Sequence, residues 1–217
     1  MMRRVDIRRA AVVIAARPGP QGPEVLVLER SGRSRFLPGY VAFPGGAIDA
    51  EDERLAERWF GSAKEAARAC AVRELLEEVG LLLTASGLSR ADTRVEPVRA
   101  VDAAPPTREQ LVRIAHWVAP EDVPVRFDAD YFAVASPPDL EPVPDGREIA
   151  GAWWSSPSRL LAEWREGRRK LYWPTYLTVR SLARCASVAE LLALEIPTRE
   201  PHEDELARFP RSTFWQD

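Results

Sequence analysis

The chain has 217 residues, 46% hydrophobic and 29% charged, with a formal net charge of -3. That length and balance suit one ordinary globular unit with a real core, and they give no reason to expect a nucleic-acid or anionic-membrane surface. An acidic chain that handles phosphate groups would need a metal ion to mediate the contact.

The start of the chain, residues 1–9, is basic and precedes the apolar run 10–16. Seven residues followed by Arg17-Pro18 are too few for a secretory core, so this run reads as a first β-strand. Residues 25–29 form a second strand after the turn-rich Pro18-Gly19-Pro20-Gln21-Gly22-Pro23. A basic loop with Arg30, Arg33 and Arg35 leads through Phe36 and Tyr40 to a short strand at 41–43, stopped by Pro44-Gly45-Gly46. A short charged helix is expected at 51–59. A longer one is expected at 62–79, stopped by Gly80. Residues 81–84 read as a strand, and 86–102 fit neither pattern. A helix at 107–113 is expected to lead into a strand at 114–118. Strands follow at 126–135 and 149–154, and helices near 157–165, 174–185 and 188–194. The charged tail 197–217 is read as partly disordered or packed on a neighbour. The elements alternate as an α/β chain with a mixed sheet between helices, an α/β/α sandwich with extra C-terminal helices. The expected division is one domain over 1–217, with a core of about 8–167 and a helical extension of about 168–217.

Cys70 and Cys185 make no disulfide framework and read as small buried residues in a reducing compartment. No stretch approaches the length of a membrane-spanning helix. A cytoplasmic location is the default.

The helix at 62–79 carries the chemistry. At about 100° per residue, Glu74, Glu77 and Glu78 share one face, while Val72, Leu75, Leu76 and Val79 share the opposite one. Three carboxylates so close repel one another, and they sit where the helix dipole disfavours negative charge. A hard cation such as Mg²⁺ or Mn²⁺ would relieve both penalties. Taken alone, the pattern reads as a solvated acidic face.

Its surroundings decide the reading. Arg73-Glu74-Leu75-Leu76-Glu77-Glu78-Val79-Gly80-Leu81 reproduces the segment R-E-U-x-E-E-x-G-U, with U aliphatic. Glu65 stands eight residues before Arg73, and Phe43-Pro44-Gly45-Gly46 stands upstream. Together these resemble the signature box of the Nudix hydrolase family. The resemblance implies metal ligation by Glu74 and Glu78 with Glu77 contributing, and by a backbone carbonyl of Gly45 or Gly46. It implies that Arg73 orients a catalytic carboxylate. Glu65 is either a support for Arg73 or a helix-start residue in the capping box Ser62-Ala63-Lys64-Glu65. One departure stands out: 18 residues separate Gly46 from Glu65, so an insert of about 13 residues is expected, roughly 49–61.

The flanks, including residues 27–31, 36–46 and 116–120, resemble Nudix proteins with an enlarged box, among them the peroxisomal coenzyme A diphosphatase type. The resemblance then implies hydrolysis of the diphosphate of a small nucleoside-diphosphate-linked substrate, with two to three Mg²⁺ or Mn²⁺ ions. Coenzyme A or an acyl-coenzyme A is one candidate. ADP-ribose, sugar nucleotides, dinucleotides and oxidised nucleoside triphosphates are others, and a non-catalytic nucleotide-sensing module is the rival from another class. No nucleic-acid or membrane partner is implied, and a homodimer is left open.

Lesser candidates each have two readings. The base is Glu74 or Glu148, and Glu148 is otherwise a further ligand or an ordinary loop acid. Arg30, Arg33 and Arg35 hold substrate phosphates, or form a solvated loop. Phe36 and Tyr40 stack on a nucleobase, or pack locally. His116 reads as a packed residue rather than a base, Arg126 and Asp128 as a surface pair, and Trp153 and Trp154 as packing residues.

Overall fold

Residues 10–16 are apolar at every position, a pattern that suits a strand covered on both faces rather than one with a wet side. The computed structural model describes residues 7–34, 36–92, 96–119, 126–198 and 209. Arg35 and most of the tail beyond 198 lie outside them. In it this run is the centre of β1 (Ile7–Gly19), which pairs antiparallel with β2 (Gly22–Arg30) through a tight turn. On its other edge β1 runs parallel to β8 (Arg126–Ala135) from Ile7 opposite Arg126 to Ala16 opposite Ala135. With β3 (Tyr40–Ala42), β7 (Val112–Val118) and β10 (Lys170–Leu171), the order is β10-β3-β2-β1-β8-β7. β4 (Gly45–Ala47) pairs with β1, and β9 (Ile149–Ser155) pairs with β2. The sheet is mixed, as expected.

Alternation along the central strands sorts the core into two layers. Ala11, Val13, Ala15, Leu26 and Leu28 pack against α1 (Ala50–Phe60) and α2 (Ala66–Val79). Ala10, Ile14, Ala16, Val25 and Val27 pack against α4 (Pro157–Arg165), α5 (Trp173–Leu182) and α6 (Val188–Leu192). Helices therefore cover both faces of an α/β sandwich, and the C-terminal helices complete one of its layers.

Several local expectations are corrected. Residues 107–113 form only a 3₁₀ turn, Arg108–Gln110, before β7 begins at Val112. Thr107 and Gln110 cap each other's backbone there, which closes a single turn and goes no further. The ambiguous stretch 86–102 resolves into β6 (Gly87–Arg90), which forms a hairpin with β5 (Leu81–Thr84), and α3 (Pro97–Ala103). Gly45-Gly46 is more than a stop, because it pairs with Ala11 and Val12 of β1. The helix expected from 62 begins with a 3₁₀ turn, Ala63–Glu65. No helix among the described residues is long and apolar enough to cross a membrane.

Candidate active site

Helix α2 buries Val72, Leu75 and Val79 in the core and ends at Gly80, whose φ of 64° and N–H bonds to the Leu75 and Leu76 carbonyls form a left-handed cap. Gly80 is also where the proline-rich loop crosses: a Cβ there would stand 3.4 Å from the Val143 backbone oxygen and from its Cβ.

The three glutamates of this helix end in three environments. Glu78 is only 7% exposed, and its Oε2 accepts the Gly45 N–H at 2.9 Å. Burial, reinforced by the charge of Glu74, pushes its pKa up to about 8 despite that hydrogen bond and the nearby Arg30. Glu74 is also pushed up by burial, with Arg73 opposing; its Oε1 accepts from Arg73 Nη1 at 2.8 Å. Glu77 is largely exposed and turns back to Arg73 at 2.9 Å instead of converging with the other two.

Arg73 is the hub of this arrangement. Its Nε and Nη2 donate to the two oxygens of Asp52 at 2.9 and 3.0 Å, a bidentate pair. Asp52 is fully buried. Burial works against the Arg73 charge, but the Asp52 hydrogen bonds and the Glu74 charge outweigh it and hold the guanidinium protonated.

Asp52 is the residue that sequence reasoning missed. Its carboxylate, not that of Glu65, supports Arg73. Glu65 pairs with Arg68 and, at 3.3 Å, with Arg108. Nor does Glu65 complete a capping box: Ser62 Oγ accepts from the Lys64 N–H, and the Glu65 N–H goes to the Ser62 carbonyl. A signal was present in the spacing. Five residues separate Gly46 from Asp52, which is the box interval, with aspartate in the place of glutamate. The extra residues therefore follow Asp52 instead of preceding it. They continue α1, whose Asp49 cap and Gly61 stop close the excursion. Trp59 Nε1 and Arg58 both bind Asp102 of α3, tethering the insert.

The glycine pair is explained by close approach. A Cβ on Gly45 would come within 2.5 Å of the Ala11 carbonyl oxygen, and one on Gly46 within 2.0 Å of Glu74 Oε1. Gly45 thus lies flat on β1, and Gly46 leaves room for the Glu74 carboxylate beside the main chain. The Gly46 and Ala47 carbonyls face the buried Cys70 thiol at 3.6 and 3.7 Å. Burial pushes that thiol's pKa upward, so it is an inert packing group.

These groups open onto a cleft of about 810 Å³. Glu74, Glu78, Glu148, Gly45 and Gly46 line it, and so do Phe36, Tyr40, Phe127, Tyr172 and Trp173. Phe36 meets Phe127 edge-on with 5.5 Å between centroids, and packs with Leu37, Tyr40 and Tyr172 in a small apolar cluster. Arg30 also lines the cleft, but its Nε and Nη2 are committed to the Phe36 carbonyl and to Ser34 Oγ. It therefore shapes the loop as well as charging the cleft. Exposed Arg33 and Arg147 line the cleft too.

The expected surface pair of Arg126 and Asp128 does not form. Arg126 donates to the Ala119 carbonyl, and Asp128 meets His116 Nε2 at 2.6 Å. His116, expected as a packed residue, is half-buried and flanked on its other nitrogen by Asp130 at 3.3 Å.

Residues 6–173 of the chain match the NUDIX domain family. The chain belongs to the NUDIX family. With that membership the expectation of a Nudix-type pyrophosphohydrolase stands. The chain is 27% identical to the acyl-coenzyme A diphosphatase NUDT19 of Homo sapiens across 85% of its own length and 70% of that relative. It is 37% identical to the uncharacterized Nudix hydrolase NudL of Enterobacter sp. (strain 638), over 37% of this chain and 36% of that one. A crystal structure of a NUDIX hydrolase from Alicyclobacillus acidocaldarius superposes with a TM-score of 0.75 at 30% identity, covering 89% of this chain and 99% of that one.

The residues present fit a divalent ion. Two carboxylates of like charge, buried Glu78 and largely buried Glu74, line the cleft, and a glycine holds the main chain open beside Glu74. Among the described residues no three His, Cys, Asp or Glu side chains converge as a ready-made cage. Mg²⁺ does not need one, since it keeps several waters and is commonly held by one or two carboxylates plus substrate phosphates.

Proposed function

We propose that the chain is a divalent-metal-dependent hydrolase of the diphosphate bond in a nucleoside-diphosphate-linked substrate of the coenzyme A or acyl-coenzyme A type. The observation that carries this reading is buried Glu78 with the largely buried Glu74 beside it, both lining a cleft that also carries aromatic side chains. Glu78, Glu74 and a carbonyl of the Gly45-Gly46 pair would hold Mg²⁺ or Mn²⁺. When bound, such ions neutralise the diphosphate and acidify a water. Glu77 contributes charge from the helix surface. Arg73, locked by Asp52, keeps Glu74 in place. Glu148, exposed in the cleft and near enough to raise the Glu78 pKa, takes the proton of the attacking water, because one oxygen of Glu74 is already occupied by Arg73. Water adds to one phosphorus, the bridging P–O bond breaks, and the other phosphate leaves. Coenzyme A would yield adenosine 3′,5′-bisphosphate and a phosphopantetheine. Phe36, Tyr40 and Tyr172 offer faces for the nucleobase.

The choice of coenzyme A over the other diphosphates is supported by the printed activity of the human relative. Purified protein is incubated with Mg²⁺ or Mn²⁺ and a panel of coenzyme A, an acyl-coenzyme A, ADP-ribose, a sugar nucleotide and a diadenosine polyphosphate. Cleavage of the coenzyme A thioesters or of coenzyme A at the highest kcat/KM is expected. Preferential cleavage of another member reassigns the substrate. No metal-dependent cleavage of any member sinks the enzyme reading and favours the sensing module.

A further inference from the structure

The last carbonyls of an α-helix have no partner within the helix and must find donors elsewhere. In α2 those donors come from the loop between β8 and β9. The Val143 N–H donates to the Val79 carbonyl at 2.8 Å, and the Asp145 N–H to the Glu78 carbonyl at 3.1 Å. Upstream, the loop is fastened at Leu140, whose carbonyl accepts the Trp154 indole N–H at 2.7 Å and Arg17 at 3.3 Å. Downstream, the Asp145 carboxylate folds over the chain that follows. Its Oδ1 accepts from the Arg147 and Ile149 N–H groups at 3.1 and 2.9 Å, and its Oδ2 from the Glu148 N–H at 3.2 Å. The Glu148 carbonyl in turn accepts the Ser31 N–H at 2.8 Å. One residue thus holds the end of the metal-site helix with its main chain and the backbone of Glu148 with its side chain.

We propose that Asp145 is a positioning residue, setting where Glu148 stands relative to Glu78. The proposal rests on the reading of Glu148 as the proton acceptor. Asp145 touches neither substrate nor the reacting atoms. It acts by fixing the backbone of a solvent-exposed side chain that otherwise has little to hold it. Alanine at 145 removes all three acceptor bonds. Asparagine keeps the Oδ1 bonds to Arg147 and Ile149 and loses the acceptor facing the Glu148 N–H.

The test is a double-mutant cycle on the full chain with Mg²⁺ and whichever panel diphosphate it cleaves fastest, with thermal unfolding alongside. Asp145→Ala is expected to lower kcat by about 10-fold or more, and Asp145→Asn by only a few-fold, kcat falling more than KM rises. In a Glu148→Gln background the same changes are expected to cost less than about two-fold, because the group they position no longer accepts a proton. Equal losses in both backgrounds, or no loss in either, overturn the proposal. Amide hydrogen exchange gives a readout independent of turnover: Asp145→Ala should speed exchange at residues 147–149 selectively, and unchanged exchange there also overturns it. Glu78→Gln run in parallel separates the two readings. If that variant stays active, the placement of the reaction centre at Glu78 fails, while the exchange result still judges the contact made by Asp145.

Discussion

On the N-terminal side of the acidic turn, Arg73 is gripped by the buried carboxylate of Asp52 and passes that order to Glu74 and Glu77. On the C-terminal side, the carbonyls of Glu78 and Val79 are held by the main-chain N–H groups of Asp145 and Val143. The first support is ionic and depends on one side chain carried by the first turn of α1. The second is spread over the backbone, and any residue but proline supplies the donor. A buried ion pair is severely weakened by losing one partner, because the other is left charged in a poorly solvating place. A backbone clamp tolerates most substitutions and is vulnerable where a side chain ties the loop down.

The largest expected effect lies between the two supports. Glu78→Gln should lower metal-dependent turnover by roughly 10²–10⁴-fold, measured as initial rates on the best substrate, in a variant that still unfolds cooperatively. Near-normal turnover would mean that the acidic turn is not the reaction centre. Next comes the ionic support. Asp52→Ala should cost about 3–5 kcal/mol in denaturant unfolding, since it strands Arg73. A loss under about 1 kcal/mol would show that the clamp is replaceable.

The pH dependence tests the electrostatics of the same turn. Glu78 is raised from its ordinary 4.5 to about 8 in the folded chain, so the folded state retains a proton that the unfolded state releases. Its contribution to stability is present in full below about 4.5 and lost as pH rises through about 8, on the order of a few kcal/mol. Metal-stripped protein should therefore melt at lower temperature as pH rises across that window, and Glu78→Gln should flatten the slope. A slope unchanged in the variant would place the titration elsewhere.

The two glycines give a sharper contrast. Gly46→Ala places a methyl against the Glu74 carboxylate, which can swing aside, so about 10–100-fold of turnover should go with little stability. Gly45→Ala meets the Ala11 backbone instead, and stability should fall first. The smallest effect is expected at Glu65. Its partners Arg68 and Arg108 are at least partly solvated, so Glu65→Gln should cost less than about 1 kcal/mol. A Glu65 effect as large as that of Asp52 would reverse the assignment of the Arg73 support.

Much of the fold was legible in local pattern. Residues 10–16 and 25–29 are apolar at nearly every position, and that pattern suits strands covered on both faces. The acidic turn on α2 and its Gly80 stop could be placed from a helix wheel. The pairing of Gly45-Gly46 with β1 was not legible, because three residues beginning Gly-Gly have no strand signature and pair only once β1 is in position. Asp52 was hidden for a similar reason. Its spacing from Gly46 was in view, but Glu65 offered a competing acid at the right distance from Arg73, and local sequence cannot say which of two acids a folded arginine meets.

Local pattern was enough for the layered α/β architecture, the family, and the helix that carries the glutamates. Periodicity and short-range spacing encode all three, and both survive without knowledge of long-range contacts. Long-range packing settled how three similar glutamates divide into a buried one, a paired one and an exposed one. It also decided that the first turn of α1 brings Asp52 to Arg73, and that the loop of Asp145 closes the end of α2. Those outcomes depend on burial and on contacts between segments 21 residues or more apart, as from Asp52 to Arg73. Such contacts exist only once the two core layers have closed on the sheet.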